Sequence, residues 1–274
     1  MDELLRARAP FRLEAVECAA TPGIAASKKR AEQLLARGAE HLSRLQEKLF
    51  AASRGGDSRR VLLVLQAMDT AGKGGIVRHV VGAVDPQGVQ LAAFKKPTDE
   101  ELAHHFLWRI EQKLPTPGMI GVFDRSHYED VLIGRVRGLA PADEIERRYG
   151  EIVDFESRLA DDGVSIVKVM LHISRDEQKQ RLNERLERPD KRWKYNPGDV
   201  DERTLWDDYQ RAYQNAIERT DADHAPWFVV PADRKWYARL AVQSLLITAL
   251  EGIDPQWPVA DFSVEQEMSR LASS

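Results

Sequence analysis

The sequence predicts an α/β protein in which helices cover both faces of a parallel β-sheet. Short apolar runs, typical of buried strands, alternate with segments of helical periodicity along most of the chain. Parallel strands need long crossover connections, which are usually helical, so this alternation favours a parallel sheet. Polar clusters also follow several of the apolar runs, and ligands of such sheets bind at the carboxyl ends of the strands. The clusters are 66–75, 94–99 and 124–130.

The first part of the chain is predicted to be a helical extension of a single domain. Residues 1–26 lack clear periodicity and contain the turn signal Thr21-Pro22-Gly23. Ser27 is a typical N-cap, and leucines at near-helical spacing predict a long helix from it through Ala52. We divide the domain, 1–274, into an extension (1–58), a core (59–255) and a tail (256–274).

In the core, apolar runs bounded by turn residues predict strands, and apolar residues at helical spacing predict helices. Turn clusters such as Asp85-Pro86-Gln87-Gly88 separate them, and Pro97-Thr98-Asp99 is a typical helix start. The predicted strands are 61–66, 89–94, 119–123, 165–173 and 227–230. The predicted helices are 76–84, 99–113, 126–137, 141–160, 175–187, 201–220 and 234–251.

Composition and net charge exclude several classes of protein for this chain. The chain has 274 residues, 43% of them apolar, and a formal net charge of −4. It can therefore form a sizeable core, and it lacks the overall basic field of a double-stranded DNA binder. The single cysteine, Cys18, excludes an intrachain disulfide framework and fits a reducing compartment. The N-terminus has no apolar signal core, and no apolar run is long enough to span a bilayer. We expect a cytoplasmic protein without nucleic-acid or membrane partners.

The most informative segment is 62–75. An apolar run ends in a polar turn with glycines and one lysine, before a helix-compatible stretch. This order is typical of a phosphate-binding loop, whose backbone N–H groups and following helix bind anions. Lys73 adds a mobile cation that can follow a phosphoryl group during transfer. The predicted phosphate-binding residues of the loop are Ala71, Gly72, Lys73, Gly74 and Gly75.

The loop departs from the strict pattern at two positions. Ala67 stands where the pattern has glycine, and Gly74 stands where it has the hydroxyl residue that holds magnesium. A carboxylate inside a phosphate loop repels phosphate unless a divalent cation lies between them, so we interpret Asp69 as a magnesium ligand. The alternative is a glycine-rich turn in which Asp69 only caps the helix.

A second chemical cluster follows the third predicted strand. Asp124 occupies the strand end where nucleoside-triphosphate enzymes place a metal-orienting carboxylate, and Arg125 can bind phosphate bidentately. Alternatively, Asp124 caps the next helix and Arg125 pairs with it. We interpret His127 as structural or peripheral, because a phosphate acceptor is already anionic and needs no general base. Glu129 and Asp130 contact metal or acceptor, or form a solvated helix face.

Basic clusters elsewhere predict further phosphate contacts. Arg181, Arg185 and Arg188 recur near helical spacing before a loop rich in proline and glycine, which predicts a lid over about 181–205. The alternative is a solvated face in which these arginines pair with glutamates of the same helix. Lys28-Lys29-Arg30 opens the long helix, where cations are unfavourable, and this hints at an anionic partner.

Taken together, these segments resemble the type-2 polyphosphate kinase family. The resemblance covers about Thr21 to Pro258, nearly the whole chain, and the set of motifs is highly specific. The residues that carry it are Gln66 to Gly75, Pro97 to Glu101, Phe123 to Val131, Trp193-Lys194, Asn196 to Asp199 and Pro231 to Trp236.

The resemblance implies a P-loop kinase-like fold with a helical lid. It also implies reversible, Mg²⁺-dependent phosphoryl transfer between inorganic polyphosphate and adenine or guanine nucleotides, by a homo-oligomer (dimer or tetramer). By motif, Asp69 and Asp124 hold the metal, and Lys73, Arg125 and Arg185 act on the transferred group. Further phosphate contacts are Lys28, Lys29 and Arg181, and the nucleotide contacts are Arg125, Tyr128 and Glu129.

The acceptor is left open between nucleoside monophosphates and diphosphates. Within the family the chain looks most like the branch that phosphorylates nucleoside monophosphates and often diphosphates, and the run Ser126-His127-Tyr128-Glu129-Asp130 carries that resemblance. Asp124 and the pair Gly74-Gly75 look more like the branch that acts on diphosphates.

Two rival functions remain. An ATP-dependent nucleoside monophosphate kinase on the same fold would use ATP, and not polyphosphate, as donor. A non-catalytic phosphate-binding regulator would bind without turnover. The degenerate loop permits the regulator, but the intact set Asp69, Lys73, Asp124 and Arg125 argues against it.

Overall fold

The computed structural model describes residues 1–25 and 27–274, and it confirms the predicted α/β class. The strands are β1 (Arg60–Ala67), β2 (Val89–Ala93), β3 (Ile120–Asp124), β4 (Val164–His172) and β5 (Trp227–Pro231). The helices are α1 (Asp2–Leu5), α2 (Lys28–Arg54), α3 (Lys73–His79), α4 (Asp99–Leu102), α5 (Trp108–Glu111), α6 (Ile133–Val136), α7 (Ala142–Asp161), α8 (Arg175–Glu187), α9 (Gly198–Thr204), α10 (Trp206–Thr220), α11 (Lys235–Ile253) and α12 (Val264–Ala272). The strands form one sheet in the order β2-β3-β1-β4-β5, and all neighbouring strands are parallel.

The central strand β1 positions the chemically rich edge of the sheet. All eight of its residues are buried, because neighbouring strands and the covering helices hide both of its faces. It pairs with β3 on one side and with β4 on the other, and Leu65 lies opposite Asp124. The ends of β1 and β3 therefore lie side by side, so the polar residues that follow them meet at one edge.

The N-terminal extension is fixed to the core at two places. Ser27 caps α2 as predicted, and its side chain accepts a hydrogen bond from a backbone N–H of the first turn. Farther along α2, Leu35 O accepts a hydrogen bond from Gln243 Nε2 of α11 at 3.0 Å. Near the start of the chain, Ala7 N donates to Trp227 O of β5 at 2.9 Å. The extension thus covers the β5 edge of the sheet and packs against α11.

Three helices predicted as continuous are broken in the structure, and those predictions are wrong at the breaks. The segment 99–113 forms α4 and α5 with a non-helical stretch between them. The segment 126–137 forms a 3₁₀ turn, His127–Asp130, followed by α6. The segment 201–220 is divided between α9 and α10 at Leu205.

Burial accounts for these breaks. Leu107, Tyr128 and Trp206 lie at or next to the breaks, and all three are buried in the core. Burying one large apolar side chain contributes about 1.5–3 kcal/mol. A backbone hydrogen bond lost at the break costs only about 1 kcal/mol net. The chain therefore leaves helical geometry where this places a large side chain in the core.

The other predicted elements are confirmed to within a few residues, apart from the end of α3 and two helices, α1 and α12, that the sequence analysis does not predict. Helix α3 ends at His79, whereas the sequence predicts a helix to Val84, and the chain continues there as a 3₁₀ turn, Val81–Ala83. The tail contains α12, a helix that periodicity did not predict, and its apolar side chains are exposed. Among the helices described, none combines the length and apolar character needed to cross a bilayer.

A buried cluster of ionisable side chains lies behind the site edge. Lys168 Nζ on β4 donates to Glu156 Oε2 at 2.6 Å, to Tyr128 Oη at 2.9 Å and to Thr220 O at 2.7 Å. His127 Nε2 lies 3.1 Å from Glu156 Oε1. Burial would raise the pKa of the Glu156 carboxyl, but Lys168 and His127 outweigh it and leave that pKa below its ordinary value. We call these five residues the buried ion cluster.

His172, at the end of β4, gives the protein a specific sensitivity to acid. Burial lowers its pKa to about 4, which Asp233 opposes only in part. The folded state disfavours the charged imidazolium ring. The contribution of neutral His172 to the free energy of unfolding is therefore fully present above about pH 6.5, and it is lost as the pH falls through about 4. From about pH 7.5 to about pH 4, the unfolding free energy of the wild type should fall by about 3 kcal/mol more than that of His172→Gln.

Denaturant unfolding at several pH values measures this difference. His104→Gln, at an exposed histidine, is the control and should follow the wild type. Parallel pH curves for the wild type and His172→Gln would contradict the expectation.

Candidate active site

The predicted phosphate loop joins the end of β1 to the start of α3. Thr70 and Gly72 have φ angles of 64° and 125°, which turn the chain tightly at the strand end. Lys73 Nζ donates to Ala67 O at 3.1 Å, so the cation folds back over the loop. One cavity of about 420 Å³ is bordered by all five predicted loop residues, Ala71, Gly72, Lys73, Gly74 and Gly75.

Arg181 anchors this loop from behind, and our prediction that it binds phosphate is wrong. Its side chain is buried, and Nε donates to the Glu177 carboxylate at 2.7 Å. Its other N–H groups donate to four backbone carbonyl oxygens at 2.7 to 3.0 Å, which uses all five donors of the guanidinium. The four carbonyl oxygens belong to Thr70, Ala71, Ala232 and Asp233.

Asp124 and Arg125 lie beside the loop, as the strand register requires. Arg125 has a φ of 65°, and its backbone N–H donates to Leu65 O at 3.0 Å. Its guanidinium lies 3.3 Å from Asp69 Oδ1 and 3.7 Å from Glu129 Oε2. A bulky residue with a positive φ is uncommon and occurs where the surrounding structure enforces it. Here it directs the arginine between the two carboxylates.

At this edge of the sheet one arginine, Arg125, lies among several carboxylates, and these groups shift one another's pKa values. Burial lowers the pKa of Arg125, but Glu129 and Asp69 outweigh it and raise the pKa above its ordinary value. Burial raises the pKa of Glu129, and Arg125 and Lys73 offset this only in part. Burial, followed by the charge of Asp69, raises the pKa of Asp199 to about 6. The edge is therefore crowded with carboxylates, a situation that added cations would relieve.

Two cavities meet at Asp69 and Arg125, which border both of them. We call the cavity of about 420 Å³ in front of the phosphate loop the loop chamber. Besides the loop it is bordered by Arg78, His79, Asp124, Arg185 and Lys194. We call the second, of about 200 Å³, the lid chamber. Its walls include Met68, Glu129, Leu132, Ile133, Gln178, Asn196, Asp199, Glu202, Tyr209 and Tyr213.

The predicted lid segment contributes to both chambers. Arg185 Nη1 lies 3.0 Å from Lys194 O and 3.3 Å from Asp199 Oδ2, so helix α8 is tied to the loop and to α9. Gln178 Nε2 of α8 donates to Asp69 O at 3.1 Å, and its Oε1 accepts from Arg203 at 3.0 Å. The lid is thus connected by hydrogen bonds to the phosphate loop itself.

The second cluster divides into residues that border the chambers and residues that do not. Tyr128 is fully buried and its hydroxyl bonds to Glu156 and Thr220, so our prediction that it contacts a nucleotide is wrong. His127 is also buried, which confirms its interpretation as structural. Asp130 pairs with Arg109 and Arg148, away from both chambers. Glu129 alone of the run 127–130 borders the lid chamber.

The two predicted lysines of α2 lie outside both chambers. Lys28 borders a separate cavity of about 460 Å³, together with Arg234, Lys235 and Arg239. Arg239 also approaches the phosphate loop, since its guanidinium lies about 3.8 Å from where a side chain at Gly75 would begin. Lys29 is exposed and does not border that cavity.

Several residues of the chambers are not predicted by the sequence. The sequence around Arg78 of α3 contains no motif that would distinguish it from an ordinary surface arginine. Tyr209 and Tyr213 are four residues apart on α10, a spacing that marks one helix face but equally fits an ordinary core. Gln178 is an ordinary polar residue in the sequence, and only the packing of α8 against the loop shows its contact with Asp69.

The carboxylates Asp69 and Asp124 are the candidate metal ligands, because both border the loop chamber. Among residues 1–25 and 27–274 there is no group of three or more histidine, cysteine or acidic side chains placed to hold a metal. Mg²⁺ is usually bound by one or two carboxylates and takes its other ligands from water and substrate phosphates. The donor set at the loop chamber is therefore of the kind that Mg²⁺ uses.

Comparison with known proteins identifies the family. The model of the polyphosphate kinase 2 family matches residues 25–258. The chain belongs to the polyphosphate kinase 2 family. Its fold agrees with a crystal structure of polyphosphate kinase 2 from Arthrobacter aurescens TC1, with a TM-score of 0.98 and 59% identity, over 99% of this chain and 96% of that one.

Two relatives in the family carry names that state their substrates. An AMP/ADP-polyphosphate phosphotransferase of Meiothermus ruber is 44% identical over 256 residues, 93% of this chain and 94% of the relative. An ADP-polyphosphate phosphotransferase of Rhodopseudomonas palustris is 41% identical over 89% of this chain and 88% of the relative. The family resemblance and the class of enzyme predicted from the sequence are thereby confirmed.

Proposed function

We propose that this protein transfers the terminal phosphoryl group of inorganic polyphosphate to AMP and to ADP, reversibly and with Mg²⁺. The observation that carries the proposal is the pair of chambers that meet at Asp69 and Arg125. A transfer reaction needs two phosphorylated substrates whose ends meet, and the two chambers share one boundary. Polyphosphate kinase 2 relatives with these substrates in their names support it.

The walls of the chambers indicate which substrate each one takes. The loop chamber is bordered by backbone of the phosphate loop and by the cations Lys73, Arg78, Arg185 and Lys194, which suits a chain of phosphates. The lid chamber combines apolar and aromatic side chains, including Leu132, Tyr209 and Tyr213, with polar and acidic ones, and its apolar part suits a nucleobase. Its volume of about 200 Å³ is small for a nucleotide, so we propose that α9 moves outward to admit it.

The cations at the boundary have distinct roles in this proposal. Both substrates are strongly anionic, so the barrier consists largely of repulsion and positioning. Arg125, fixed between Asp69 and Glu129, binds the phosphate oxygens at the meeting point. Lys73 follows the transferred group from the loop side, and Arg185 covers it from the lid. No side chain must remove a proton, because the acceptor oxygen is already anionic.

Asp69 and Asp124 would hold the metal at the loop chamber, and we propose Mg²⁺. When bound there, Mg²⁺ would neutralise phosphate charge and polarise the bond that breaks. The pKa of Asp199, raised to about 6, and the raised pKa of Glu129 are consistent with an edge that tolerates negative charge poorly without added cations. Asp69 also orients Arg125, because it contacts the guanidinium.

The acceptor is tested directly by two parallel reactions. Purified protein is incubated with Mg²⁺ and polyphosphate, with AMP in one tube and ADP in the other, and the nucleotides are separated by anion exchange. The proposal predicts ADP from AMP and ATP from ADP, neither of them without polyphosphate. Product in the ADP tube alone would restrict the enzyme to diphosphates. Absence of product in both tubes, with ATP-driven transfer to AMP intact, would reject polyphosphate as donor.

Arg181 should act on this reaction by positioning the phosphate loop. Arg181→Lys keeps the charge, but a lysine supplies three donors in place of five, so at least two of the five hydrogen bonds that Arg181 makes around the loop are lost. A displacement of about 1 Å at a reacting centre can cost up to ~100-fold, so we expect kcat to fall at least ~10-fold. Initial rates with polyphosphate and ADP measure kcat, and Arg188→Lys, at the exposed position directly after α8, is the control. Equal kcat values for the two variants would rule out the positioning role.

The oligomeric state and the location in the cell stay predictions. We propose a homo-oligomer, and the apolar side chains exposed on α12, Val264, Met268 and Leu271, are consistent with a surface that another subunit covers. Sedimentation equilibrium of the purified protein would measure the number of subunits.

A further inference from the structure

Side chains of α8 hold three consecutive carbonyl oxygens of the phosphate loop. Gln178 Nε2 donates to Asp69 O at 3.1 Å, and Arg181 Nη1 donates to Thr70 O at 3.0 Å and to Ala71 O at 2.9 Å. A trans peptide group points its C=O and its N–H in opposite directions, so these bonds turn the next three N–H groups of the loop away from α8. The contacts of α8 therefore orient the N–H groups through which such a loop binds anions.

These two side chains of α8 differ in what holds their other ends. Arg181 is fixed by Glu177 of its own helix and by two backbone carbonyl oxygens that follow β5. Gln178 is buried, and its Oε1 accepts from Arg203 Nη1 of α9 at 3.0 Å. Within residues 1–25 and 27–274, no other group donates to this oxygen. Arg203 belongs to the predicted lid, so the contact made by Gln178 depends on the lid and the contacts made by Arg181 do not.

The two hydrogen bonds of the Gln178 amide leave it one orientation. A guanidinium only donates and a carbonyl oxygen only accepts, so Oε1 must face Arg203 and Nε2 must face Asp69 O. Arg203 Nη1 also donates to Arg175 O at 2.6 Å, which holds the guanidinium against the start of α8. Without Arg203, the amide loses the group that fixes its orientation, and a buried oxygen is left without a donor.

No ion pair explains the position of Arg203. It is half-buried, and it pairs with no carboxylate in the part of the chain that the structure describes. Burial and the charge of Arg175 lower the pKa of Arg203, and Asp176 opposes this only in part. The arginine is therefore placed at a cost to stability, and local costs of this kind are typical of functional positions.

The residue that Gln178 holds is the one at which the two chambers meet. The carboxylate of Asp69 lies 3.3 Å from the guanidinium of Arg125, and Asp69 borders both the loop chamber and the lid chamber. A displacement of about 1 Å at a reacting centre can cost up to ~100-fold in rate. A contact that moves the backbone of Asp69 therefore acts on the reaction without touching either substrate.

We propose that Arg203 is a positioning residue that couples closure of the lid to the placement of Asp69, with Gln178 as the link. With α9 against α8, Arg203 orients the amide and Gln178 holds the backbone of Asp69. When α9 moves outward to admit a nucleotide, the bond to Arg203 breaks and the loop loses this contact. The geometry for transfer is then complete only under a closed lid, where water is excluded. This inference rests on the proposed function, because the nucleotide in the lid chamber closes α9.

Steady-state kinetics of two variants and of their combination test the link. Arg203→Gln should lower kcat for transfer from polyphosphate to ADP about tenfold, with at most about a twofold change in KM for ADP. Because Arg203 acts through Gln178, the double variant Gln178→Leu/Arg203→Gln should be no slower than Gln178→Leu alone. Independent effects multiply, so a double variant about tenfold slower than Gln178→Leu would overturn the proposal.

The matched control is Arg175→Gln. It removes one exposed positive charge beside Arg203 and keeps the backbone oxygen that Arg203 contacts. Its kcat should stay within about twofold of the wild type. A loss as large as that of Arg203→Gln would assign the effect to charge at the start of α8 and overturn the link. A wild type that makes no ATP from polyphosphate and ADP would instead contradict the proposed reaction itself.

Hydrogen exchange of the wild type tests the coupling without relying on the folding of any variant. Exchange is followed by mass spectrometry with and without ADP, in the absence of polyphosphate. Closure of α9 over ADP should slow exchange in peptides from 198–204 and also in peptides from 69–75. In Arg203→Gln, ADP should protect 198–204 and leave 69–75 less protected than in the wild type. Protection of the lid alone in the wild type, or equal protection of 69–75 in both proteins, would overturn the proposal.

Discussion

Replacing Lys73 with alanine is expected to lower kcat for transfer from polyphosphate about 100-fold, with a smaller change in KM. Lys73 is the cation of the phosphate loop, and its Nζ lies 3.1 Å from Ala67 O. A donor aimed at charge that moves during transfer acts mainly in the transition state, so its loss lowers kcat more than binding. Losing one such contact raises the activation free energy by roughly 3 kcal/mol, which corresponds to the expected loss of about 100-fold in kcat.

The control for this experiment is Lys179→Ala, which removes an exposed lysine from α8 and leaves the chambers intact. Initial rates with Mg²⁺, polyphosphate and ADP measure both variants. If Lys73→Ala and Lys179→Ala had the same kcat, the phosphate loop could not be the site of transfer. A large rise in KM at unchanged kcat would instead make Lys73 a ground-state contact.

Replacing Lys168 with methionine is expected to destabilise the protein by about 3–5 kcal/mol, a large share of the stability of an ordinary domain. Lys168 is fully buried, and its loss would leave the Glu156 carboxylate without its cation. It would also leave Tyr128 and Thr220 without a donor. The cost comes from the uncompensated charge, so Lys168→Met/Glu156→Leu should be less destabilised than the sum of its two single variants.

Guanidinium unfolding followed by tryptophan fluorescence measures these free energies. Lys179→Met, on the exposed face of α8, is the matched control and should change stability by no more than about 0.5 kcal/mol. A loss below about 1 kcal/mol for Lys168→Met would show that the buried ion cluster does not hold the second motif in place.

The buried ion cluster also explains why the motif Ser126 to Asp130 indicates an active site although few of its side chains border the chambers. His127 and Tyr128 reach back to Glu156, and this fixes the backbone directly after Arg125. Their side chains therefore support the arginine, whose φ of 65° needs such support. A sequence shows which residue types follow a strand, but it does not show which of them turn inward. For this reason the motif wrongly predicts a nucleotide contact for Tyr128.

The prediction for Arg181 is wrong for a related reason. The sequence gives no reason to assign different roles to Arg181, Arg185 and Arg188, which recur near helical spacing. The packing of α8 against the phosphate loop gives them different surroundings. Arg181 faces the loop carbonyls, while Arg185 reaches the loop chamber. The buried strands could be predicted because fully apolar runs between turn signals leave few alternatives. The breaks at Leu107, Tyr128 and Leu205 could not, because they depend on burial against elements distant in the chain.

The identity of the phosphoryl donor is tested most directly by a labelled-phosphate experiment. The protein is incubated with Mg²⁺, AMP and ³²P-labelled polyphosphate, and separately with Mg²⁺, AMP and ATP labelled at its terminal phosphate. We predict that label from polyphosphate appears in ADP with the wild type and is about 100-fold slower with Lys73→Ala. Label that reaches ADP from ATP, and never from polyphosphate, would contradict polyphosphate as the donor.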